Sequence, residues 1–249
     1  PPTSQYGMDI GIYNGSTNIT IDGTTVKNAW GDGIYIGQNA IVNSPANNNI
    51  LINAVIADGN RRNALSLVFV DGVVVKNSGF RNTAGTEPGA GIDIEPNPNT
   101  NQFVKNIILF NNSITNNSGG GIKVGMELPF SQAAFQNIAI IRNSISGNKD
   151  SGININKVAG VSVLNNTASN NVEAGIIIQS DPGTETTTSN NIVVGNTTNA
   201  NNGLSGIAYG ISLDEVQNNV IVNNSASNNN SGAIWPGTGR YKNAFCTSK

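Results

Sequence analysis

The hydrophobic positions of this chain recur as short runs. Eight segments begin with Asn or Gly and pass into a β-branched strand, at Ile19, Ile50, Val73, Ile107, Ile138, Val161, Ile192 and Val220. The steps between them are 31, 23, 34, 31, 23, 31 and 28 residues. Most strands run into an Asn/Ser/Thr stretch, as at 111–118, 142–149, 165–172 and 223–230, and then into Gly-Ile-x-Ile or a variant, at 33–36, 91–94, 121–124, 152–155 and 175–178. Fourteen residues separate the strand's opening residue from this glycine at Ile19/Gly33, Ile107/Gly121, Ile138/Gly152, Val161/Gly175 and Ile192/Gly206. Ala64 takes the glycine's place after Ile50, and the third unit carries four extra residues near Thr86. Length variation otherwise falls in the connection after the Gly-Ile strand, at 37–48, 96–105, 125–136 and 180–190.

Strands of three to five residues are unstable alone, and alternation puts Ile and Val on one face of each. Repeats of this length with three short strands each predict an all-β parallel solenoid, a single domain over 1–249 with about eight coils stacked roughly 4.8 Å apart. Asn suits its turns because it tolerates left-handed backbone and stacks in side-chain ladders, and Gly suits the corners. Residues 1–16 read as an N-terminal cap or a truncated coil. Residues 235–249 break the pattern and read as a C-terminal cap, with Trp235, Tyr241 and Phe245 covering the last coil.

Composition narrows the chemistry. The chain has no histidine, so a His base and a His-ligated metal are excluded, and Cys246 is alone, so no internal disulfide forms. Only 11% of residues are charged, while 44 are Asn. The net charge of -2 and the absence of a basic block argue against nucleic acid as a partner. No apolar run reaches the roughly 18 residues of a membrane span. A lone Cys with little charge fits a secreted protein.

Aligning the coils on the Gly-Ile strand gives an outward column of Tyr35, Ser66, Asp93, Lys123, Asn154 and Ile177. Two residues further on, Glu95 and Asn156 face the same way. Charges gather on this face, where the other faces carry mostly Asn, Ser and Thr, and the long connections leave the same strand and would wall a groove. Asp93 and Glu95, two residues apart on one strand, have Cα atoms roughly 6.5–7 Å apart. That suits an inverting glycosidase pair or a Ca²⁺ site. β-Elimination of a uronic acid polymer instead needs a cation on the carboxylate, a base for the C5 proton and an acid for the leaving oxygen. Arg61 and Arg62 suit the first role, Lys123 or an arginine the second and Tyr35 the third, with Ser66 and Asn154 as substrate contacts. Asp32 lies at a coil corner, where it accepts turn N–H groups or borders the groove. Trp30 reads as core filling or a sugar platform. Lys76, Lys105 and Lys157 read as solvent-facing, and Phe130 and Phe135 as pinning a loop to the coil.

The coil pattern resembles the right-handed parallel β-helix proteins of the pectate-lyase-like superfamily over almost the whole chain. WGDGIYIG, NRRNALSL and AGIDIEPN in successive coils are similar to a group of bacterial and phage β-helix proteins thought to act on polysaccharides. The resemblance implies that Asp32, Arg61, Arg62, Asp93 and Glu95 lie near a substrate groove. It is also a resemblance to β-helix alginate lyases, which use Lys with Arg or Tyr. The DPH motif of the mannuronan epimerases and the catalytic-site His of polygalacturonase-type hydrolases are both missing. The expectation is a secreted lyase acting on an acidic polysaccharide such as alginate, with no required cofactor or with Ca²⁺. A glycoside hydrolase using Asp93 and Glu95 is the second reading, and a non-catalytic binding solenoid the third. Both a monomer and a trimer, frequent among phage β-helices, remain open.

Overall fold

The computed structural model describes residues 6–39, 44–97, 101–125, 134–180, 188–203, 207–237 and 243–246, of which residues 245 and 246 by backbone only. Its strands form three parallel sheets of nine, nine and eight strands, visited in turn by the chain, so that each strand pairs with its counterparts in the coils before and after. This is a right-handed parallel β-helix of about eight coils. The first sheet holds the Gly-Ile strands, Ile34–Gly37, Leu65–Leu67, Ile92–Ile94 and Ile122–Gly125 among them, with Ile92 beside Leu65 and Ile122. The interior is an aliphatic stack in which Ile34, Leu65, Ile92, Ile122, Ile153 and Ile176 have no exposed surface.

Two polar devices hold the coils in register. Between the second and third sheets, Asn112, Asn143, Asn166 and Asn196 form a buried ladder, each Nδ2 donating to the next Oδ1 at 3.0 Å. Asn143 Nδ2 also donates to the carbonyl of Leu109, and its Oδ1 accepts the backbone N–H of Asn112, so each amide meets its neighbours on both sides. A second ladder runs through Asn117, Asn148, Asn171 and Asn201. Exposed Asn residues with φ near +55° make the bends outside them, Asn49, Asn77, Asn106 and Asn111 among them. The repeated glycine has a steric cause. A Cβ on Gly121 would lie 2.5 Å from the carbonyl of Gly152, and one on Gly152 2.6 Å from that of Gly175.

Several expectations are corrected. After Gly175 the glycine of the next coil is Gly210, since Ile176 pairs with Ile211; Gly206 lies outside the described residues. In the last two full coils the pattern slips by one residue. Ile192 pairs with the outward Ser162 and Val220 with Ile192, so both point outward, while Val193 and Ile221 enter the core. The coil pattern does not break at Trp235. Gly232–Trp235 pairs with Tyr209–Asp214 and Ala244–Cys246 with Val220–Val222. Trp235 stacks on Tyr209 with ring centroids 5.7 Å apart. Tyr241 and the Phe245 side chain lie outside the described residues. At the other end, Ile10–Tyr13 pairs with Ile34–Gly37 as a partial first coil. Lys157 is buried, not solvent-facing. Phe135 is not in the loop but opens the strand Phe135–Ile141 and joins the core, and Phe130 lies outside the described residues.

Candidate active site

The outward column of the first sheet is in the expected register, with Tyr35 beside Ser66, Ser66 beside Asp93, Asp93 beside Lys123 and Lys123 beside Asn154. It is a floor rather than an open surface. Ser66 is 1% and Asp93 3% exposed, although both face away from the core. A cleft of about 380 Å³ lies above them, with Tyr13, Tyr35, Arg62, Glu95 and Asn97 also on its wall. The long connections form that wall and are tied together. Gln102 Nε2 donates to Gln38 Oε1 at 2.8 Å, and Gln102 Oε1 accepts the Asn97 N–H. The outer parts of these connections lie outside the described residues.

A hydrogen-bonded network sets the floor's geometry. Asp32 has no exposed surface; both its oxygens meet Arg62 Nη1, at 3.0 and 3.2 Å. Its Oδ1 also accepts the Asn63 N–H, and its Oδ2 accepts the Ser66 hydroxyl at 2.9 Å. Asn63 Nδ2 then donates to Ser66 Oγ and, at 3.1 Å, to Asp93 Oδ2. Asp93 Oδ1 is buried and has no hydrogen-bond partner. Burial, then the charge of Glu95, pushes the Asp93 carboxyl up to about 7, against the pull of Lys123 and Arg62. Burial likewise raises Asp32, opposed chiefly by Arg62. Tyr35 is also raised, by burial first, while a hydrogen bond with Asn97 works the other way. Its ring lies over Gly37 and stands 5.6 Å from that of Tyr13.

The structure thus brings Arg62, Tyr35, Ser66, Asp93 and Glu95 to one cleft and separates others from it. Of the two roles expected for Asp32, the structure shows the first: it accepts the Asn63 N–H and fixes Arg62, sealed beneath the groove, so it is not a substrate contact. Arg61 does not enter the cleft. Its guanidinium lies 4.4 Å over the Trp30 ring and its Nε donates to Thr86 Oγ1. Trp30 is therefore neither core nor a free platform: it is 41% exposed, with Arg61 against its ring. Lys123 and Asn154 line a neighbouring cleft of about 430 Å³ with Lys149, Asp150 and Glu173. Burial and a hydrogen bond with Asp150 lift Glu173 to about 7 there.

Asn63 and Tyr13 escaped sequence reasoning. Asn63 lies within the NRRNALSL motif but is singled out by nothing else among 44 Asn, and Tyr13 precedes the first repeat. As a Ca²⁺ site the cleft fits poorly. Its lining carries two carboxylates, Asp93 and Glu95, and no group of three or more acidic, His or Cys side chains gathers among the described residues.

A family model described as "right handed beta helix region" matches residues 105–246. Comparison with curated proteins finds no match. Among solved structures, the A-module of an Azotobacter vinelandii mannuronan C-5 epimerase superposes with a TM-score of 0.66 at 16% identity, over 94% of this chain and 65% of that one. A periplasmic alginate epimerase gives 0.61 at 15%, over 92% and 50%. The Agl-KA catalytic domain gives 0.65 at 12%, over 92% and 47%. The chain thus spans between about half and two thirds of these structures. At such identities the likeness concerns the fold.

Proposed function

We propose that this chain, which belongs to the right-handed β-helix family, is an exported enzyme that cleaves a uronic acid polysaccharide, such as alginate, by β-elimination. The observation that carries this reading is the buried, acid-leaning Asp93, with one oxygen unpartnered, in a cleft that also holds Arg62 and Tyr35. A protonated Asp93 and the Arg62 guanidinium together can receive a uronate carboxylate. Neutralising that carboxylate acidifies the C5 proton. In this reading Lys123, one strand beyond Asp93 and on the wall of the neighbouring cleft, serves as the base by reaching across, and Tyr35, two strands to the other side, as the acid for the leaving oxygen. The raised Tyr35 phenol stays protonated, as that role requires. Asp32 acts through Arg62, as a positioning residue. The epimerases among the fold neighbours are compatible with this reading, because epimerisation begins with the same C5 deprotonation.

A second reading rests on Asp93 and Glu95. With Asp93 as acid and Glu95 as base, the cleft suits an inverting glycoside hydrolase. One assay separates the readings. Alginate, polygalacturonate and neutral glucans are incubated with the protein in deuterated water, and absorbance near 235 nm, reducing ends and C5 deuterium are followed. Elimination gives all but retained deuterium: a 235 nm rise with new reducing ends. Reducing ends alone indicate hydrolysis. Deuterium at C5 in an uncut polymer indicates epimerisation. Silence in all three on every uronate sinks the enzymatic reading and leaves a binding solenoid.

A further inference from the structure

Outward side chains of the first sheet stand in two columns, and the first two strands fill those columns in opposite order. Ile10–Tyr13 carries Gly11 and then Tyr13, whereas Ile34–Gly37 carries Tyr35 and then Gly37. The register sets Gly11 beside Tyr35 and Tyr13 beside Gly37. Each ring folds along its own strand, over its own glycine. A Cβ on Gly11 would lie 2.6 Å from Tyr13 Oη, and one on Gly37 2.5 Å from Tyr35 Oη. The two half-buried rings therefore lie side by side and point in opposite directions, with centroids 5.6 Å apart and planes tilted by 35°. Both line the cleft.

An outward tyrosine on a strand has a choice of staggered rotamers, and open space beside it leaves more than one of them accessible. Gly37 makes room for the Tyr35 ring along its own strand, but room alone does not hold the ring there. Gly11 has no side chain, so a second space opens next to Tyr35 on the neighbouring strand. The Tyr13 ring fills that space. The two hydroxyls are engaged separately. That of Tyr13 donates to Met8 Sδ at 3.7 Å, whereas that of Tyr35 hydrogen-bonds with Asn97 of the wall. Ile10–Tyr13 is the end strand of its sheet, and through Tyr13 the partial first coil becomes part of the site.

We infer that Tyr13 is a positioning residue for Tyr35: its ring occupies the space over Gly11 and so keeps the Tyr35 phenol over Gly37, ready to deliver its proton. This rests on the reading of Tyr35 as the acid for the leaving oxygen, and the test reads placement and turnover separately. Protein labelled with 3-fluorotyrosine gives a ¹⁹F resonance for each of its five tyrosines, assigned by replacing each with Phe. Tyr13→Ala should shift or broaden the Tyr35 resonance. It should also lower kcat about 10- to 100-fold with KM held within about threefold, because the acid is misplaced while Arg62 and Asp93 still receive the carboxylate. Tyr13→Phe keeps the ring and should restore most of the turnover. Gly11→Ala puts a methyl where the Tyr13 ring lies; it should reproduce Tyr13→Ala, and it serves if that variant disturbs folding. Adding Tyr13→Ala to Tyr35→Phe should cost little beyond Tyr35→Phe alone, since Tyr13 acts only through Tyr35. A Tyr35 resonance that moves in neither Tyr13→Ala nor Gly11→Ala overturns the inference. So do losses that multiply in the double variant, or a Tyr13→Phe as slow as Tyr13→Ala, which would make the Tyr13 hydroxyl a participant in its own right. A chain inactive on every uronate would sink the proposed reaction, and the ¹⁹F resonance would still decide the placement.

Discussion

Asp93 is the residue on which most of the chemistry turns, and its environment makes two separate predictions. The folded chain holds its proton up to about pH 7, while an ordinary aspartate releases it near 3.8. Between those values the folded state binds more protons, so stability falls as pH rises from about 4 to 7 and stays reduced above. Asp93→Asn should therefore melt higher than wild type at pH 8, by a gain on the order of 1–3 kcal/mol, and much closer to wild type at pH 4. Calorimetry at both pH values checks it, and an equal shift at both would refute the burial argument. The same variant separates the two readings: it should lose at least ~100-fold in turnover if Asp93 is a hydrolase's acid, and far less if a protonated Asp93 only receives the carboxylate, because the Asn amide is neutral and still a donor. Gly37 provides an independent check on Tyr35. A Cβ there would lie 2.5 Å from the Tyr35 ring and hydroxyl, so Gly37→Ala should displace the phenol and cost as much activity as Tyr35→Phe, with folding retained. Wild-type kinetics in Gly37→Ala would remove Tyr35 from the mechanism.

Strands and turns explain why so much was legible beforehand. Alternation of Ile with polar residues set the inward and outward register of the Gly-Ile strands, because a one-residue slip there would bury Asp93 and Lys123 in the aliphatic stack. It failed at Ile192 and Val220, where Ile-Val-Val and Val-Ile-Val are apolar at every position and alternation carries no information. It says nothing of Asp32, Arg61 and Arg62, which precede the Gly-Ile strands. Which of two adjacent arginines turns toward a buried carboxylate depends on contacts from the neighbouring coil, which no local pattern encodes. The Asn-rich turns were recognisable as ladders, but not which Asn faces inward. The two kinds should behave differently. Asn148→Ala removes a fully buried rung and strands the Asn117 N–H and amide, so it should cost ~2–4 kcal/mol. Asn111→Gly, at an exposed bend with φ +54°, loses one amide contact to Asn77 and should cost less than ~1 kcal/mol. Urea denaturation of the two variants tests the contrast; equal losses would mean that the buried ladder contributes nothing special.

At the scale of the whole molecule, each strand pairs only with its counterparts in the coils before and after it. Length is therefore a free variable of this architecture. Asn137 and Gly160 both precede an inward strand residue with positive φ, at +53° and +75°. Excising residues 138–160 would join two equivalent points and remove one turn of the spiral. Asn166 would then descend onto Asn112, Asn171 onto Asn117 and Ile176 onto Ile122, each a like-for-like replacement of the rung removed. The shortened chain should fold, melt cooperatively within several degrees of the parent and keep the cleft around Asp93, Arg62 and Tyr35. Circular dichroism and the 235 nm assay would show it, and a chain that fails to fold would mean that the coils are not interchangeable. If the excision succeeds, the same spacing offers a route by which such proteins gain or lose a turn in one genetic event, without re-evolving a core.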